Sequence, residues 1–111
     1  MASKVKVEFK PNKARIETKI RAGSQAMTIA VTEAVLEYAE PLVPVAEGTL
    51  KDSAFIASRP KSGLAIWDTP YAKKQYYTHE TKNMWAQKAV DRNKKKLDQV
   101  AQNAFTKGFG K

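Results

Sequence analysis

Cysteine is absent from this chain of 111 residues, and histidine occurs once, at position 79. The first absence excludes a disulfide framework and a thiolate metal site, and the second excludes a metal centre built from imidazoles. Acidic residues are outnumbered, with 11 Asp and Glu against 20 Lys and Arg, so the net charge is +9 and an acidic partner is implied: DNA, RNA or an acidic protein surface. No apolar run approaches the roughly 20 residues that a membrane span needs. Met1-Ala2-Ser3-Lys4 leads straight into a charged, alternating segment, so no signal sequence and no membrane contact are expected, and the chain is expected in the cytoplasm when made. Gly48, Gly63 and Gly108 stand alone and build no phosphate-cradling loop. The carboxylates are scattered, with no pair at metal or acid–base spacing. His79 with Glu80, Tyr76 and Tyr77 is the one grouping that resembles an acid–base site. No serine or carboxylate motif supplies its partner, so a solvated loop histidine, no enzyme, no cofactor and no small-molecule substrate are expected.

What is there suits one domain, 1–111, with one core. The ends, including Gly108-Phe109-Gly110-Lys111, are expected to fray. Lys4 to Lys10 alternates charged and apolar residues, which predicts a strand over 4–10 with Val5, Val7 and Phe9 on one face. Pro11 stops it, and Asn12 is placed to cap a helix over about 12–40. There Ile16, Ile20, Met27, Val31, Ala34, Val35 and Tyr38 recur at helical spacing around Gly23, a weak point worth about 1 kcal/mol relative to alanine. Pro41 and Pro44 end that helix and open a turn over 41–50, in which Ala46-Glu47-Gly48-Thr49 reverses the chain and Leu50 plugs the core. Residues 54–58 and 64–68 read as the arms of a β-hairpin joined by Arg59-Pro60-Lys61-Ser62-Gly63. An aromatic segment over 70–79 follows, helical or extended. A second long helix over about 83–107 then carries Trp85, Ala89, Val90, Leu97, Val100, Ala101, Ala104 and Phe105 at helical spacing. The sum is an α+β fold in two layers, two long helices packed on a small, mostly antiparallel sheet.

Three groups of residues bear on partners. Lys88, Arg92, Lys94, Lys95 and Lys96 crowd one stretch of the last helix, where like charges repel unless solvent, nearby aspartates or an acidic partner offsets them. A solvated helix face is the plain reading, since no helix-turn-helix or comparable reader accompanies them. Among the aromatics, Trp67 and Trp85 read as core, while Tyr76 and Tyr77 cannot both point inward from an extended segment. The strand from Val5 to Phe9, placed at a sheet edge, can pair with a neighbouring subunit.

Pro44, Gly48, Leu50, Ser53, Trp67, Pro70, Tyr71, Ala72, Tyr76, Tyr77 and Trp85 follow one another in an order that resembles the minor capsid, neck (head–tail connector) or tail-completion proteins of long-tailed bacteriophages. One position departs from that pattern: Ala46-Glu47 stands where the family carries Asp-Thr ahead of the glycine. The resemblance implies a structural virion protein, assembled in the host cytoplasm, that forms a homo-oligomeric ring in the neck. Its neighbours would be connector and tail-end proteins, with non-specific contact to the DNA in the channel. Closed rings arise from heterologous contacts. On this reading Val5, Val7, Phe9, Tyr71, Tyr76 and Tyr77 are expected at subunit interfaces, and Lys88, Arg92, Lys94, Lys95 and Lys96 are expected to face an acidic neighbour or DNA. The rival reading is a small basic nucleic-acid-binding domain, whose affinity for DNA would fall steeply with salt.

Overall fold

Strict alternation shapes the start of the chain. In a computed structural model that describes residues 5–11, 15–44 and 48–109, β1 (Lys6–Pro11) and β2 (Arg15–Arg21) form an antiparallel pair. Ile16, Thr18 and Ile20 are buried, while Arg15, Glu17 and Lys19 between them keep contact with solvent. Val7 lies opposite Ile20, Phe9 opposite Thr18 and Glu8 opposite Lys19, so a slip of one residue would turn charges into the core. This corrects the predicted helix over 12–40, because the chain is a strand until Arg21. A gap of four residues between Ile16 and Ile20 fits both a period of 2 and one of 3.6, and the buried Thr18 midway decides for the strand. Gly23 consequently lies in the bend before the helix and not inside it. Helix α1 (Gln25–Ala39) starts at Ser24, whose hydroxyl accepts the Met27 N–H at 3.2 Å. Asn12, the cap predicted from the sequence, lies outside the described residues.

Pro41 opens a single 3₁₀ turn (Glu40–Leu42) that ends α1, and Val43 is extended. The next element is helix α2 (Gly48–Ala57), which corrects both the predicted strand over 54–58 and the end of the predicted turn. Leu50 and Ala54, one helical turn apart, are buried, whereas Phe55 and Ile56 are 69% and 86% exposed. After a 3₁₀ turn (Pro60–Ser62), β3 (Leu64–Asp68) pairs antiparallel with β2 and not with 54–58. Trp67 lies opposite Ile16 and Ala65 opposite Thr18, giving the sheet order β1-β2-β3. Of the predicted hairpin only the Arg59–Leu64 bridge remains. The outer edge of β3 bonds instead to serines: Ser58 Oγ accepts the Ile66 N–H at 2.9 Å, and Ser53 Oγ accepts the Asp68 N–H at 3.0 Å. The spacing fits, since five residues along a helix advance about 7.5 Å and two along a strand about 6.8 Å.

Helix α3 (Ala72–Thr78) forms from the aromatic segment. The predicted last helix is two, α4 (Trp85–Arg92) and α5 (Lys94–Phe109). Asn93 makes the break: its amide donates to the Ala89 carbonyl at 2.8 Å, closing α4, and its own carbonyl accepts the Leu97 N–H at 2.8 Å, opening α5. One apolar cluster joins Ile16, Leu50, Trp67, Tyr76 and Trp85; the other joins Ile20, Met27, Val31, Val35, Leu97 and Ala101. The architecture is α+β, with helices against one face of a three-stranded antiparallel sheet.

Gly63 ties these parts together. It sits at φ 73°, its carbonyl accepts the Ile20 N–H at 2.7 Å, and a Cβ there would lie 2.1 Å from the Ile20 oxygen. Gly63→Ala is therefore expected to lower stability by about 2 kcal/mol or more, read from denaturant midpoints. Ser62→Ala, on the exposed neighbour, should leave the midpoint nearly unchanged.

Candidate interaction surfaces

The aromatic group is mostly interior. Trp85 meets Trp67 edge-on at 6.1 Å and Tyr76 at 4.7 Å between ring centroids, and Tyr76 meets Tyr77 at 5.2 Å. The Tyr76 hydroxyl accepts the Gln87 N–H at 3.1 Å, which ties α3 to α4. Burial pushes this phenol up to about 12, and the Gln87 hydrogen bond opposes part of that rise. Tyr76 was expected at a subunit interface. That expectation is corrected, since the side chain is 1% exposed and fills the core. Tyr71 and Tyr77, at 60% and 44% exposure, stay on the surface at the two ends of α3. His79 closes the loop after α3: its Nδ1 accepts the Lys82 N–H at 2.8 Å and the Thr81 N–H at 3.3 Å. An imidazole used this way shapes a turn.

The side chains of Val5, Val7 and Phe9 are partly buried. Val5 and Val7 lean on the Ile20–Leu97 cluster, and Phe9 leans on the Ile16–Trp67 cluster. What β1 presents is backbone. Ile16, Thr18 and Ile20 direct their main-chain groups to β3, leaving those of Glu17, Lys19 and Arg21 for β1, so the N–H groups of Val7 and Phe9 face away from the sheet.

Unpaired charges of opposite sign lie on different sides of α1. On one side lie α4 and α5, where Lys88 donates to the Asn83 Oδ1 at 2.7 Å and the Lys96 ammonium stands 6.0 Å from the Tyr38 ring centroid. Arg92, Lys94, Lys95 and Lys96 are exposed and make no ion pair among the described residues. Three lysines in the first turn of α5 also sit at the positive end of its dipole, an unfavourable placement. On the other side, α1 and α2 enclose an open groove of about 330 Å³ lined by Leu36, Ala54, Phe55 and Pro60, with Glu33, Glu37 and Glu40 along it. These glutamates are unpaired among the described residues.

The groove was missed in the sequence because reading 54–58 as a strand left no partner for α1 there. The spacing of Glu33, Glu37 and Glu40, at i, i+4 and i+7, was the available signal. Among the described residues no group of three or more His, Asp or Glu could hold a metal ion, and no helix is long and apolar enough to cross a membrane. A family model described as "Minor capsid protein" matches residues 3–109. Neither the comparison with curated proteins nor that with solved structures gave a match.

Two outcomes are expected at the interior aromatics and the loop. The folded chain holds the Tyr76 proton to about pH 12, whereas an unfolded tyrosine releases it near 10.0, so this group's contribution to stability is full below pH 10 and is lost as pH rises toward 12. Tyr76→Phe should flatten that part of the alkaline decline in urea melts. His79→Ala should cost about 1 kcal/mol through the loop hydrogen bonds, read by thermal melting, and leave particle assembly intact.

Proposed function

We propose, because the chain belongs to the minor capsid protein family, that it forms an oligomeric ring in the neck of a tailed bacteriophage and joins the head connector to the tail. Membership makes the protein a structural component of a bacteriophage-type virion; the ring, its place and its neighbours are our reading. The observation that carries it is the pair of unpaired charge clusters, cations at the start of α5 and glutamates along the groove, on different sides of α1, which gives one small subunit two unlike faces. Unlike faces are what head-to-tail closure needs. The exposed Tyr71 and Tyr77 and the outward backbone of β1 add further contact surface, suited to connector and tail-end proteins above and below. The work is mechanical: the joint stays sealed while DNA is retained and later released through the channel.

A second reading, a small basic nucleic-acid-binding domain, draws on the exposed, unpaired cations Arg92, Lys94, Lys95 and Lys96. Salt separates the two. A DNA binder loses affinity steeply as ionic strength rises, and a neck subunit binds free duplex weakly at any salt. The direct test is electron microscopy of particles made without this subunit. Separate heads and tails are the expected result, and fully joined, infectious particles would overturn the neck role.

A further inference from the structure

We propose that the groove between α1 and α2 receives the basic α4–α5 flank of a second copy of this chain, a contact that rests on the ring reading above and supplies its head-to-tail joint. Three of the 11 acidic residues of a chain with net charge +9 line this one groove, and no cation is among its lining residues. Lys51 shares an adjoining recess with Glu40, and Arg59 and Lys61 share another with Glu33, but none of these cations pairs with a groove glutamate among the described residues. Its lining includes Phe55, one of the most exposed large apolar side chains among the described residues. An apolar anchor beside a charged rim is the arrangement found at interface hot spots.

The flank supplies the complement. Arg92, Lys94, Lys95 and Lys96 have no carboxylate within ion-pair distance among the described residues, although the first turn of α5 is where cations are least comfortable. Carboxylates brought in by a neighbour would relieve that repulsion and at the same time neutralise the groove. One chain cannot make this contact with itself. At 100° per residue, the stripe of α1 that meets α5 (Met27, Val31, Tyr38) and the stripe that lines the groove (Glu33, Glu37, Glu40) are roughly 130° apart around the helix. Both halves of the joint occur on every copy and face different ways, so each copy that docks leaves one groove and one flank open for the next. That repetition favours a second copy over an unrelated basic partner.

The test uses sedimentation of the full chain at low salt with two exposed charge reversals, Glu33→Lys/Glu37→Lys and Lys94→Glu/Lys95→Glu, and with Phe55→Ala. Circular dichroism melts establish that each variant is folded. The wild-type chain should self-associate, each charge reversal should weaken association about tenfold or more, and Phe55→Ala should weaken it without changing its salt dependence. An equimolar mixture of the two reversed chains should recover association, because each then offers the other a complementary face. A wild-type chain that stays monomeric, or a mixture no better than its components, would overturn the contact. So would a Lys94→Glu/Lys95→Glu chain that loses duplex DNA binding while self-association persists. Copies that associate but ignore every substitution would sink this groove and leave the ring standing; rescue in the mixture, with heads and tails joining normally in the subunit's absence, would do the reverse.

Discussion

Two serine hydroxyls fix the part of the fold on which the surfaces depend. Ser53 and Ser58 accept the outward N–H groups of Asp68 and Ile66, so α2 takes the place that a fourth strand would occupy beside β3. A helix closing a sheet edge removes a site of strand pairing. It also sets α2 across the groove from α1, buries Leu50 and Ala54, and leaves Phe55 exposed in the groove. The opposite edge, β1, has no such cover among the described residues, so the sheet has one sealed side and one open side.

The α+β class and the interior roles of Trp67 and Trp85 were legible in the sequence, because alternation at Val5, Val7 and Phe9 and helical spacing after Met27 are strong signals. The resemblance to minor capsid proteins also holds at the level of the family, and the match reaches the N-terminal strand pair as well as the segment from Pro44 to Trp85. The failures have physical causes. Ile16 and Ile20 suit either period, and only burial of Thr18 resolves them. Ala54-Phe55-Ile56-Ala57 has strand composition, yet Leu50 and the serine bonds to β3 hold it helical, which is tertiary context overriding propensity. Asn93 breaks the last helix through a side-chain bond that composition does not announce. At the surfaces, an extended segment would leave Tyr76 or Tyr77 outward; in a helix Tyr76 turns inward to Trp85.

Charge completes the account. A net charge of +9 suggests a uniformly basic particle, but the fold gathers unpaired lysines at the start of α5 and unpaired glutamates along a different side of α1. Each group is unfavourable alone and complementary to the other, and the helix between them prevents their meeting within one chain.

The most direct measurement exploits the lack of cysteine. A chain carrying Glu37→Cys and Lys95→Cys together, treated at low salt with a short thiol crosslinker, tests whether groove and flank of different copies meet. The account predicts a ladder of covalent species extending beyond the dimer, with either single variant giving no ladder. Only monomers closed on themselves, or dimers with nothing larger, would contradict it.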